Sequence, residues 1–249
     1  MSAADVINGG AGVDSLNVTL SGTSAAVLNG ADVKNVEILN VRNVGTRAPS
    51  VDAGQVVGLT EVNSDHSTGT LTLTNLAAGA TLGFKGNGVA ALSNVTGAYV
   101  AAATAANVVV DGGTGAASAA VAINGGAGLT FATIAGKNGA NALTGVSFGG
   151  TAVNVKAVTI DAQSNLTTGN ITGLAAATTI TVKGAGTANI GTLQSTNVIS
   201  VDASANTGGG TAVLNDVTTL AARSLARLAG RGFGCAWRCP CGHALTWDH

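Results

Sequence analysis

Short runs in which β-branched or aliphatic residues alternate with small polar ones recur through residues 1–216, separated by Gly, Asn and Asp. Val36-Glu-Ile-Leu-Asn-Val41, Thr70-Leu-Thr-Leu-Thr74, Asn107-Val-Val-Val110, Ala157-Val-Thr-Ile160, Thr178-Thr-Ile-Thr-Val182 and Asn197-Val-Ile-Ser-Val201 are examples. Alternation of period two is the mark of a strand with one buried face. The separators are residues that accept positive φ or turn the chain by side-chain-to-backbone hydrogen bonds. No window of helix length carries a 3.6-residue apolar stripe. This body is expected to be all-β.

The runs also repeat, which bears on architecture. Thr74-Asn-Leu-Ala-Ala-Gly-Ala-Thr-Leu-Gly-Phe-Lys-Gly-Asn-Gly88 aligns without gaps to Thr172-Gly-Leu-Ala-Ala-Ala-Thr-Thr-Ile-Thr-Val-Lys-Gly-Ala-Gly186, with eight of fifteen positions identical. A second element, an aliphatic residue followed by Asp-Ala, occurs at Val51-Asp52-Ala53, Ile160-Asp161-Ala162 and Val201-Asp202-Ala203. Small residues suit stacked coils about 4.8 Å apart, and stacked Asn and Thr can form hydrogen-bonded ladders along the stack. The expected fold is a parallel β-solenoid (β-helix). At roughly 20 residues per coil it would make about ten coils and a rod of about 50 Å. The alternative is one or two antiparallel β-sandwich domains. Sandwiches normally anchor their cores on aromatics, and residues 1–216 have only Phe84, Tyr99, Phe131 and Phe148.

Composition removes several functional classes. The net charge of -1 lacks the basic footprint of a nucleic-acid binder. Only 9% of residues are charged, too few to hold a chain rich in Val, Ile, Leu and Thr in an expanded, disordered state. The longest uncharged windows, such as Gly86 to Val110 with its Asn87, Ser93, Asn94, Thr96, Thr104 and Asn107, are broken by polar residues, so no transmembrane span is expected.

Residues 217–249 read differently. They hold all three cysteines, Cys235, Cys239 and Cys241, both tryptophans and four arginines against Asp248 alone. This tail reads as disordered or as the product of a shifted reading frame. The rival reading, a zinc site from Cys235, Cys239, Cys241 and His243, lacks the usual two separated ligand pairs. No signal peptide precedes the patterned sequence, and the chain is expected to be a fragment. Three segments result: an entry segment 1–20, a strand-repeat body 21–216 and the tail 217–249.

One motif carries chemistry. Gly9-Gly-Ala-Gly-Val-Asp-Ser-Leu-Asn17 fits the glycine-rich nonapeptide G-G-x-G-x-D-x-U-x at every defined position. Gly9, Gly10 and Gly12 permit a tight loop whose carbonyls face an ion, Asp14 supplies a carboxylate, and Leu16 anchors the following strand. Oxygen ligands of this kind suit Ca2+. Asp5-Val6-Ile7 fits the end of a preceding repeat, so Asp5 joins Gly9, Gly10, Gly12 and Asp14 as candidate metal residues, one nonapeptide being half a site. Ile123-Asn-Gly-Gly-Ala-Gly128 and Val110-Asp-Gly-Gly-Thr-Gly115 echo the glycines without the trailing carboxylate and read as turns.

The nonapeptide resembles the calcium-binding RTX repeats of type I-secreted bacterial proteins. The body, through Asn35-Val-Glu-Ile-Leu-Asn-Val-Arg42, Val51-Asp-Ala53 and Thr74-Asn-Leu-Ala-Ala78, resembles the β-strand-repeat region of bacterial surface-layer (S-layer) proteins. The resemblance implies export without a cleaved N-terminal signal, calcium-dependent folding and assembly into a two-dimensional lattice on the bacterial cell surface. The family's C-terminal secretion signal has no counterpart here. Expected partners are further copies of the chain and cell-surface polysaccharide.

An enzyme is not expected. Residues 1–216 have no Asp-Asp or Glu-x-Asp cluster, and Ser64-Asp65-His66, being adjacent, cannot take triad geometry together. The alternative function is an RTX-type secreted adhesin or passenger stalk binding a host or glycan. One Tyr and no Trp in the body favour the structural role, since binding hot spots are enriched in Trp, Tyr and Arg.

Overall fold

The structure is a computed structural model. It describes residues 2–21, 28, 30–88, 92–113, 119–150, 154–176, 179–195, 200–215, 233–238 and 242–247. The chain passes repeatedly between two broad sheets of nine and ten strands, and the first coils add a short sheet of three. Thus Val95–Tyr99 lies in the ten-stranded sheet, Ala105–Asp111 in the nine-stranded one, Ala119–Gly125 in the first again and Phe131–Lys137 in the second. Strands that pair are separated by a full coil and run parallel, as in Val108↔Ile134 and Val95↔Val121. This is a β-solenoid of about 8 turns, and the antiparallel sandwich is set aside. Antiparallel pairing occurs, among the described residues, only where Gly242–Trp247 joins Gly210–Asn215 and pairs with Phe233–Arg238. Those two strands lie in the tail expected to be unstructured.

The coils are longer than the expected twenty residues or so. The step from coil to coil is 23 residues at Asn17 to Asn40 and Asn40 to Asn63, 26 at Asn94 to Ala120, and 22 at Asn170 to Thr192. Corners account for the excess. Asn138 and Gly139, for example, both take positive φ between one strand and the next. At about 4.8 Å per coil the stack is roughly 38 Å long rather than 50 Å.

Alternation does what the sequence period demands. Along the nine-stranded sheet Leu39, Val62, Leu82, Val108, Ile134, Ile160 and Val182 stack in register, each at 0% exposure. Leu71, Val95, Val121, Val146 and Ile171 form the facing column. Each fully buried aliphatic side chain contributes about 1.5–3 kcal/mol of transfer free energy, offsetting the entropy of fixing so many small residues.

Polar side chains are stacked as well. Asn40 donates from Nδ2 to Asn17 Oδ1 at 2.8 Å, and Asn63 donates to Asn40 Oδ1 at 2.7 Å. The ladder stops at Gly83, in register with Asn63, where a Cβ would stand 1.7 Å from Asn63 Oδ1. Two residues further along each strand, on the same outward face, Asp65, Lys85, Asp111 and Lys137 follow each other in register with alternating charge. Two of the three Asp-Ala elements hold a local bend, Asp52 at the end of its strand and Asp202 within Ser200–Asn206 where the register to the neighbouring strand shifts, whereas Asp161 accepts instead from Gln163 Nε2 at 3.1 Å. Asp52 and Asp202 each accept the backbone N–H two residues ahead at 2.9 Å, from Gly54 and Ser204, while Ala53 and Ala203 turn inward. The Ser204 hydroxyl and N–H hold the Asp202 carboxyl below its ordinary range.

Candidate functional site

The glycine-rich loop joins the strand Val6–Asn8 of the short sheet to Ser15–Leu20 of the nine-stranded sheet. Gly9 passes directly against the next coil. Its N–H donates to the Lys34 carbonyl at 3.1 Å, and a Cβ would lie 1.9 Å from the Asn35 oxygen. Gly10 and Gly12 have φ of 96° and 121°, conformations costly to any residue with a Cβ. Asn8 Oδ1 accepts from Gly10 N at 3.2 Å and from Asn35 Nδ2 at 2.7 Å, tying the loop to the coil beneath. Leu16 packs against the core, as its place in the motif predicts.

Asp14 closes the loop. Its N–H donates to Glu37 Oε2 at 2.8 Å, and its carbonyl accepts from Glu37 N at 3.1 Å and Ile38 N at 3.0 Å. One coil further, the Glu37 carbonyl accepts from Thr60 N at 2.9 Å and Glu61 N at 3.0 Å. Asp14, Glu37 and Thr60 therefore form one corner column. Asp14 Oδ2 is buried and accepts no hydrogen bond. A carboxylate oxygen shut away from water without a donor is unfavourable, and a second carboxylate held at the Asp14 amide adds to the negative charge of the corner. The donors are oxygen atoms, which suits a hard divalent cation.

Gly9, Gly10, Gly12 and Asp14 thus share one loop, but Asp5 does not join them. Its Oδ2 accepts from Ser2 N at 2.7 Å, and its carbonyl accepts from Asp32 N at 2.9 Å. Among the described residues no three His, Cys, Asp or Glu side chains gather as a group able to hold a metal ion. The second carboxylate of this corner, Glu37, comes from the following coil and not from the preceding half-repeat. A 23-residue step, visible in Asn17, Asn40 and Asn63, carries Asp14 onto Glu37 and was the signal available for it.

The remaining motifs resolve simply. Gly112 and Gly113 take positive φ in a turn after Asp111, and the turn after Gly125 is closed by Leu129 N donating to the Gly126 carbonyl at 3.1 Å. Ser64 is buried, whereas Asp65 lies at the partly exposed strand end and binds His66 Nδ1. In the tail, Cys239 and Cys241 lie outside the described residues, while Cys235 pairs with Leu245 and His243 with Trp237 along the hairpin.

Comparison with known proteins gives no match: no family model, no characterised protein and no solved structure matches the chain.

Proposed function

We propose that the chain is a structural segment of a bacterial surface layer, self-assembling outside the cell, with calcium stiffening its first coils at Asp14 and Glu37. The observation that carries this reading is the unbroken stack itself. Nine strands follow one another in one sheet, with aliphatic columns inside and ordered ladders outside, which is the construction of a rigid wall element. The orphaned Asp14 oxygen beside Glu37 supports calcium as the ion. The resemblance of the glycine loop to RTX repeats, and of the body to S-layer strand repeats, supports the location.

The test is negative-stain microscopy of the full chain with millimolar calcium and then with chelator. Sheets that dissolve on chelation and fail to form with Asp14→Ala or Glu37→Gln support the reading, and dispersed rods under both conditions reject it. Calcium binding is tested separately by thermal unfolding. An ion at a hundredfold its dissociation constant stabilises the folded chain by about 2.7 kcal/mol, and either substitution is expected to abolish that rise in Tm.

A second reading, an adhesin or passenger stalk, is favoured by Phe131. This ring is 57% exposed on the nine-stranded sheet, between Ala105 and Ala157, and exposed aromatics are common binding anchors. Glycan-array binding lost on Phe131→Ala, without sheet formation, would establish that reading instead.

A further inference from the structure

The two broad faces of the rod carry different chemistry. Outward positions of the nine-stranded sheet bear charges of both signs, among them Glu61, Lys85, Asp111 and Lys137. In the ten-stranded sheet the seven strands from Leu71–Leu76 to Gly210–Asn215 contain no charged residue at all. Their outward side chains include one row in register, Thr72, Thr96, Ala122, Ser147 and Thr172. Thr96, Ala122, Ser147 and Thr172 of this row line an open groove together with Asn94, Gly145 and Asn170. Its asparagines are fixed in advance, since Asn94 Oδ1 accepts from Ala120 N at 2.8 Å and Asn170 Oδ1 from Thr192 N at 3.0 Å.

Three quantities bear on what such a face meets. Hydroxyl and methyl groups cost far less to desolvate than ions. Short or already tethered side chains lose little rotamer entropy on being covered. Seven strands at about 4.8 Å spacing and about 20 Å of strand length give a footprint of roughly 600 Å² per copy. Doubled, that is roughly 1,200 Å², the lower end of specific protein interfaces. A partner recognised by charge would find nothing here, whereas an equally flat, neutral sheet would fit at the usual sheet-to-sheet distance of about 10 Å.

We propose that this face packs against the same face of a second copy, forming a closed two-fold pair. The pair is the building unit of the surface layer and rests on that reading only for the further contacts that extend it into a sheet. Because no ionic group is buried, the pair is held without ion pairs and is insensitive to salt.

Sedimentation equilibrium of the full chain tests this, in chelator, with reductant to keep the tail cysteines unbridged, at low and at high salt. Dimers of equal affinity at both salt concentrations are expected. Ala122→Lys and, separately, Ser147→Asp are each expected to weaken the dimer by about tenfold or more, since each buries an unpaired charge. Thr159→Lys, on the opposite sheet, is expected to leave it unchanged, with circular dichroism showing all three folded. A monomeric wild type, a dimer untouched by both face substitutions, or equal weakening by all three overturns the inference. The two readings fail separately. Calcium sheets from a chain that is monomeric in chelator reject this interface alone, whereas salt-insensitive dimers that never form sheets with calcium reject the surface-layer reading alone.

Discussion

Individual residues in this fold are judged by whether the stack leaves their polar atoms a partner. Ser64 occupies an inward position between Val41 and Phe84, and its hydroxyl is buried without a hydrogen bond. Removing an unsatisfied buried hydroxyl recovers its desolvation cost. Ser64→Ala is therefore expected to raise stability by about 1 kcal/mol in denaturant titration, and destabilisation of that size would show that the hydroxyl has a partner. Tyr99 is the opposite case. Its hydroxyl lies 3.1 Å from both the Ala80 and Asn107 carbonyls, to one of which it donates, and it accepts from Asn107 N at 3.2 Å. Burial raises its pKa well above the ordinary tyrosine value, so it stays a neutral donor throughout the stable pH range. Tyr99→Phe leaves those backbone groups without their partner and is expected to cost about 1–3 kcal/mol by the same titration.

At the level of elements, the ladders matter more than any one strand. Gly83 is the position where the Asn17–Asn40–Asn63 ladder needs space, so a methyl group there must displace Asn63 and break its bond to Asn40. Gly83→Ala is expected to destabilise by about 2–3 kcal/mol, with chemical unfolding as the readout. Asn63→Ala in the same chain should recover part of that loss, because the two sites share one contact. Strand alternation and the parallel stack were legible because both follow from period-two patterning and from repetition over a coil. The corners were less so. Asp52 and Asp202 were visible as a repeated Asp-Ala element, but accepting the backbone N–H two residues ahead is a matter of local geometry that the third copy, Asp161, does not share. Glu37 was missed for a related reason. Its partner Asp14 is 23 residues away, and the pairing is apparent only once the length of a coil is known. Asp5 was placed in the site because Asp5-Val6-Ile7 fits the end of a preceding repeat, whereas its carboxylate accepts from Ser2 N.

Over the whole molecule, each coil touches the one before and the one after, so stability is close to a sum of coil terms and neighbour contacts. The central columns, from Val62 to Ile160, are sealed from both sides, whereas Leu16, Val18 and Val201 near the two ends of the stack are only partly buried. Amide hydrogen exchange should therefore be graded along the rod. The slowest amides are expected in Ala105–Asp111 and Phe131–Lys137, with exchange accelerating toward Ser15–Leu20 and Ser200–Asn206. Uniform protection from end to end would show a single cooperative block.

That nearest-neighbour arrangement also decides how the rod would answer force. Every strand of the nine-stranded sheet runs the same way, so tension applied at the two ends peels one coil at a time and each release frees more than twenty residues of chain. A layer woven from such rods would yield gradually, lengthening in small steps and rewinding when the load is removed, where a wall of single-core domains would rupture abruptly.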